Sequence, residues 1–288
     1  MISDITLGQY FPGKSPIHKL DPRTKILLTV LYIVAVFLAN SPIAFLFLII
    51  SVLSLIFVSR ISLRVILKGI KPIVFVLIFT ALINVFMTKG ASDPLISFWI
   101  IKIYKEGIIR AVFMALRVVL LIVGTSVLLT YTTSPISLTD GIEKLLSPLK
   151  KIGIPVHVFA MMMTIALRFI PTLIEETEKI MNAQKSRGAD FSSGSLIKRA
   201  KALIPLLIPL FVSSFKRADE LAVAMECRCY RGDKNRTKLV KLTYRGRDFI
   251  WFGIGLLFLA AIIYLKITPA HLGAIIPEKI YDVIFYKL

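Results

Sequence analysis

Cysteine, histidine, tryptophan and acidic residues are all scarce in this 288-residue chain. It has two cysteines, three histidines, two tryptophans and 17 carboxylates, against 36 lysines and arginines. Cys227 and Cys229 stand one residue apart in a basic stretch. That spacing builds no disulfide framework and reads as reduced cytosolic thiols. With no second pair and no histidine nearby, it does not read as a zinc site either. No glycine-rich Walker loop occurs, so the chain is not expected to hydrolyse ATP itself. No aspartate-rich motif of a membrane prenyl or phosphoryl transferase occurs. The opening run MISDITLGQYFPGKSPIHKLDPRTK is polar and turn-rich, unlike a cleavable signal peptide. Charge is missing altogether from Ile26 to Ser59, which leaves little for a proton-coupled pathway.

What the chain does have is apolar bulk and positive charge. It is 56% hydrophobic, with a net charge of +19 and a mean hydropathy of +0.79. A soluble domain of this length rarely needs so much apolar material. Positive charge fits nucleic acid or an anionic membrane face, and the apolar composition selects the membrane.

A membrane span needs about 20 apolar helical residues. Asn40-Ser41-Pro42 breaks the first uncharged run, so it reads as two spans joined by a tight turn. Pro72 to Thr88 reads as a third. Val118 to Thr139 reads as a fourth, starting near Ile108 with Arg110 and Arg117 on its inner face or snorkelling. Phe249 to Leu265 reads as a fifth. Lysine and arginine set the direction. Lys14, Lys19, Arg23 and Lys25 precede the first span, and Arg60, Arg64, Lys68 and Lys71 fill the second connection. The most basic region runs from about residue 140 to Arg247. These charges agree if the N-terminus is cytoplasmic. Residues 271–288 then lie outside, as an interfacial helix.

Two apolar stretches are ambiguous. Ile152 to Leu167 holds His157, and Ala202 to Phe215 holds Pro205 and Pro209. Each runs into a charged continuation, through Arg187 and Arg228 respectively. They read as long helices whose first halves touch lipid or protein and whose second halves emerge into the cytosol. The competing reading makes both of them full spans, seven in total. Proline in the first turn suits a start near Gly153-Ile154-Pro155, and a serine of the 192–195 loop can cap the next helix.

Each long helix is expected to end on an arginine flanked by small residues: Ser186-Arg187-Gly188 and Cys227-Arg228-Cys229. A guanidinium suits a helix C-terminus, and it can also bond carboxylates or carbonyls in a partner's groove. Either arginine alone reads as a solvated end charge, but the repetition favours a docking role for both. Gly188 can take a left-handed cap conformation, whereas Cys229 does so less easily. The end of the second helix is therefore left open. Met161-Met162-Met163 reads either as an adaptable contact surface or as core filling. Glu175, Glu176 and Glu178 read as partners in helical ion pairs, for example Glu175 with Lys179.

The whole chain resembles the transmembrane T component of energy-coupling factor (ECF) transporters. The run Gly8-Gln9-Tyr10-x-Pro12-Gly13-x-Ser15-Pro16-x-His18-x-Leu20-Asp21-Pro22-Arg23-x-Lys25 is similar to that family's opening signature. Ala166-Leu167-Arg168-Phe169-Ile170-Pro171 and the two tips are similar to its coupling region. The opening is closest to the branch shared among several vitamin-binding subunits. The resemblance implies a non-catalytic subunit of an ATP-driven importer in a bacterial-type cell membrane. It implies two ABC-type ATPases that bind the ATP and magnesium, and a membrane-embedded S component that binds the substrate. In that family each arginine tip docks into one ATPase, which assigns Ser186, Arg187, Gly188, Cys227, Arg228 and Cys229 to docking. Met161 to Met163, Pro205 and Pro209 are then assigned to S-component contact.

The expected fold is all-α, with about five transmembrane helices and a cytoplasmic coupling domain. Residues 1–132 carry four spans. Residues 133–245 carry the long helices, at about 154–188 and 195–231. Residues 246–288 carry the last span and the tail. A polytopic enzyme acting on lipid-linked substrates would need a charged intramembrane pocket, which the spans do not show. A stand-alone secondary transporter would show repeated halves and broken spans, which are also not visible.

Overall fold

The computed structural model describes residues 10–88, 96–98, 101–189, 191, 195–230, 232 and 242–267. Nine helices account for nearly all the regular structure of these residues: α1 (Pro22–Leu38), α2 (Pro42–Ser59), α3 (Leu63–Ile70), α4 (Val74–Met87), α5 (Lys105–Thr125), α6 (Pro135–Leu145), α7 (Val156–Ser186), α8 (Leu196–Cys227) and α9 (Gly246–Ile267). The all-α expectation holds. One small exception lies between α4 and α5, where β1 (Ile96–Phe98) pairs antiparallel with β2 (Ile101–Ile103). The expected interfacial helix at 271–288 and residues 192–194 of the connecting loop lie outside the described residues.

The boundaries follow local chemistry. Asp21 caps α1 by accepting from the Arg23 N–H, with Pro22 in the first turn. Ser41 caps α2 by accepting from the Ala44 N–H, again with proline following. Each cap satisfies an N–H that has no partner within the helix. The break at Asn40-Ser41-Pro42 therefore forms as expected. A turn at Lys71–Ile73 joins α3 to α4, and a π-helical turn at Ser126–Thr130 extends α5. The expected fourth span, Val118 to Thr139, is thus divided. Its helix closes near Thr130, and Pro135 opens α6.

Five helices among the described residues are long and apolar enough to cross a membrane: α2, α3 with α4, α5 with its extension, α7 and α9. The number matches the expectation, but the membership differs. α1, the expected first span, has 17 residues and stands at the lower end of the roughly 17–25 that can cross a bilayer. α7 enters the set because its apolar first half continues into one unbroken 31-residue helix.

The chain divides into two compact units. α1 to α5 and α9 form one, and α6 to α8 form the other. In the first unit the core is built from α1, α2, α5 and α9, with Tyr32, Val36, Phe45, Leu48, Val127 and Ile262 buried. Arg117 lies on the inner face, where its guanidinium donates to the Ala39 carbonyl at 2.7 Å and the Asn40 side chain at 3.3 Å. This settles the choice between inner face and snorkelling for Arg117. Outward faces carry large apolar side chains, such as Phe57 at 85% and Phe75 at 78% exposure. Lipid is the solvent that suits such faces. Association of these helices then rests on packing rather than on expulsion of water.

In the second unit α6 packs on α7, and α7 packs on α8. Its core is thin, with Val156, Ala160 and Leu206 buried. Polar links supplement it. His157 Nδ1 lies 3.0 Å from Glu143 Oε1, joining α7 to α6. Arg217 donates to Glu176 Oε2 at 2.7 Å, joining α8 to α7.

Candidate functional site: two arginine-tipped helices

α7 and α8 are long because nothing in them stops a helix early. Pro171, Pro205 and Pro209 lie inside them without ending them. A proline there removes one backbone hydrogen bond and favours a bend. Ser195 occupies the N-cap position of α8, but its side chain makes no capping bond. Pro155 immediately precedes α7.

Both helices close with the same geometry. Arg187 has φ −89° and ψ 8°, and Arg228 has φ −89° and ψ 13°. The next residue is left-handed in each case, Gly188 at φ 87° and Cys229 at φ 55°. The Gly188 N–H donates to Lys185 O at 2.9 Å and the Ala189 N–H to Gln184 O at 3.0 Å. The Cys229 N–H donates to Glu226 O at 2.8 Å and the Tyr230 N–H to Met225 O at 3.0 Å. Each is a Schellman closure, which satisfies carbonyls that the helix leaves over. The open end of the second helix is thereby resolved, since α8 stops with Arg228 at the cap. A left-handed cysteine costs about 1–2 kcal/mol. Two hydrogen bonds at about 0.5–1.5 kcal/mol each offset it.

Ser186, Arg187, Gly188, Cys227, Arg228 and Cys229 are all exposed. Each tip therefore presents a fixed cation at the negative end of a helix dipole, with small neighbours that let another surface approach. Such an arginine can form paired hydrogen bonds with carboxylates or carbonyls.

The apolar halves are also open. Met162 and Met163 are exposed, with Met161 half-buried on the same helix. Pro205 and Pro209 are exposed, flanked by Ile204, Leu207, Ile208 and Phe211, which are exposed as well. Exposure of Met162 and Met163 argues against core filling for those two residues. Of the acidic trio on α7, Glu176 reaches across to α8 rather than along its own helix. Sequence reasoning missed that pair because 41 residues separate Glu176 from Arg217, and no local spacing links them. His157 is half-buried against Glu143 as an ordinary interhelical link. Among the described residues no cluster of three or more His, Cys, Asp or Glu is placed to hold a metal ion.

A family model described as a cobalt transport protein, CbiQ, matches residues 13–239. A Clostridium kluyveri protein named energy-coupling factor transporter transmembrane protein EcfT is 59% identical over 250 residues, covering 87% of this chain and 92% of that protein. Proteins of the same name from Ruminiclostridium cellulolyticum and Bacillus subtilis are 53% and 47% identical over 266 and 265 residues. Each of these two matches covers 92% of this chain and 98% of the relative. A family match reaching from the N-terminal segment through both arginine tips, with near-complete coverage of these relatives, places the chain in the CbiQ/EcfT family, as a multi-pass transmembrane component of an energy-coupling factor transporter.

Proposed function

We propose that this chain carries mechanical work from two cytosolic ABC-type ATPases to a membrane-embedded S component that binds a vitamin or other micronutrient. The ATPases bind the ATP and magnesium, and this chain contributes no catalytic group. α6 to α8 and the N-terminus lie on the cytoplasmic side of the cell membrane. α7 serves as a coupling helix rather than a span, because Glu175, Glu176, Glu178, Lys179, Lys185 and Arg187 crowd its second half. The exposed apolar face around Met161–Met163, Pro205 and Pro209 is the surface offered to the S component. ATP-driven closure of the ATPases displaces the tips, and the prolines let the helices bend while transmitting that shift.

The observation that carries this reading is the matched closure of α7 and α8. Two exposed arginines share one backbone geometry, as two equivalent sockets would require. Arg187→Ala or Arg228→Ala should each weaken ATPase docking by about 2–4 kcal/mol, as loss of a central interface arginine does. The double variant should lose transport and its ATPases on affinity purification from membranes. Normal ATPase recovery with the double variant refutes the reading.

A further inference from the structure

The strongest unexplained feature is a buried polar knot on the first turn of α1, in the unit that the tips do not belong to. Lys25 is 1% exposed, yet it carries an ammonium. Its Nζ donates to the Thr132 carbonyl at 2.7 Å, the Thr133 hydroxyl at 3.2 Å and the His18 carbonyl at 3.3 Å. All three donors of the ammonium are used. Burying this charge is tolerable only with such full bonding, so the geometry is held tightly.

Asp21 and Arg23 act on the other side of the same turn. The Asp21 N–H donates to Asp248 Oδ1 at 2.8 Å, and the Arg245 N–H donates to Asp248 Oδ2 at 2.8 Å. The Asp21 carboxylate holds the Arg23 guanidinium through two bonds of 3.1 Å. That guanidinium sits 4.0 Å from the centre of the Tyr244 ring.

The chain leaves this unit after Ser134 and rejoins it at Leu242. Thr132 and Thr133 stand just before the departure. Tyr244, Arg245 and Asp248 stand just after the return. One helical turn therefore grips both ends of the segment that carries α6 to α8.

We propose that Asp21, Arg23 and Lys25 form a fixed post that ties both crossings to α1, so that displacement of the coupling segment reaches the membrane helices as a unit instead of dissipating in the two connections. Lys25 is a positioning residue in this scheme, and it acts through Thr132 and Thr133. The proposal rests on the reading that α6 to α8 receive motion from ATPases.

Hydrogen exchange tests it on the full chain in nanodiscs, assembled with its ATPases, with and without a non-hydrolysable ATP analogue. In the natural chain the analogue should alter exchange in α7 and α8 and also in α1 and α9. In Lys25→Met the α7 and α8 response should persist, while the α1 and α9 response falls about tenfold, as expected for loss of charge-assisted bonds. An undiminished α1 and α9 response in Lys25→Met overturns the proposal, and so does a natural chain with no response there. Should Lys25→Met fail to assemble, Thr133→Val takes its place. It removes only the hydroxyl acceptor and should lower the response about threefold, and full retention overturns the proposal. Failure of the natural chain to recover ATPases overturns the docking reading instead. The post is then judged on the chain alone. There, faster exchange around residues 132–134 in Lys25→Met supports it and unchanged exchange refutes it.

Discussion

Tyr32 of α1 occupies the space that a side chain at position 124 of α5 would need. A Cβ built on Gly124 overlaps the Tyr32 ring and hydroxyl, and the same hydroxyl donates to the Leu120 carbonyl at 2.8 Å. The glycine is therefore a packing residue, set where a buried tyrosine crosses a helix closely.

Gly124→Ala should destabilise the membrane unit by about 1–3 kcal/mol, because a close-packed ring has no easy retreat. Tyr32→Phe should cost about 1 kcal/mol through the lost hydrogen bond, while keeping the ring. Thermal unfolding of the detergent-purified chain ranks the two. A tolerated alanine at 124 contradicts the close approach.

Cys229→Gly should stabilise the α8 tip by about 1 kcal/mol, since glycine takes a positive φ without steric cost. Gly188→Ala should weaken the α7 tip by a similar amount. Nothing lies within 4 Å of the added methyl there, so the penalty is purely backbone. Exchange of the Cys229 and Gly188 amides reports each closure. Opposite signs at the two tips are expected, and equal signs sink the argument.

The Arg217–Glu176 pair is partly solvated, with side-chain exposures of 38% and 22%. Glu176→Gln should cost no more than about 1 kcal/mol, and less in high salt. The exchanged pair Glu176→Arg with Arg217→Glu should restore most of the loss. A double variant no better than the single ones shows that the bond does not hold α7 to α8.

His18 makes stability depend on pH. Burial lowers its imidazole pKa below 6.5, against the raising effect of its bond with the Phe11 carbonyl, and the Lys25 charge lowers it further. The unfolded chain therefore binds this proton first as pH falls. The contribution is complete above pH 6.5 and is lost as pH drops through the folded-state value, below which it stays constant. His18→Gln should flatten the stability profile of the purified chain across that window. An unchanged slope assigns the effect to other groups.

Much of this architecture was legible because its causes are local. Uncharged length marks α2, α4 and α9, and the proline after Ser41 marks the break before α2. The run from Val118 to Thr139 divides after the π-helical turn, where Pro135 opens α6; Ser134-Pro135 was a local signal of that break, but the absence of charge across the run masked it. At the tips, the arginines and small flanks were visible, but the backbone angle at Cys229 was not. A cysteine carries no local preference for positive φ, and only the two bonds closing α8 impose it.

The sequence by itself determined a polytopic helical membrane protein with two long arginine-ended helices, because apolar run length, lysine and arginine distribution, and capping residues act through near neighbours. Tertiary structure decided the rest. Lys25 reads from its surroundings as one more basic flank of a span, yet folding buries it against Thr132, more than a hundred residues away. Asp21 and Asp248 meet across 227 residues for the same reason. Such partners are chosen by how helices pack, and helix packing is a property of assembled surfaces that no short window of residues contains.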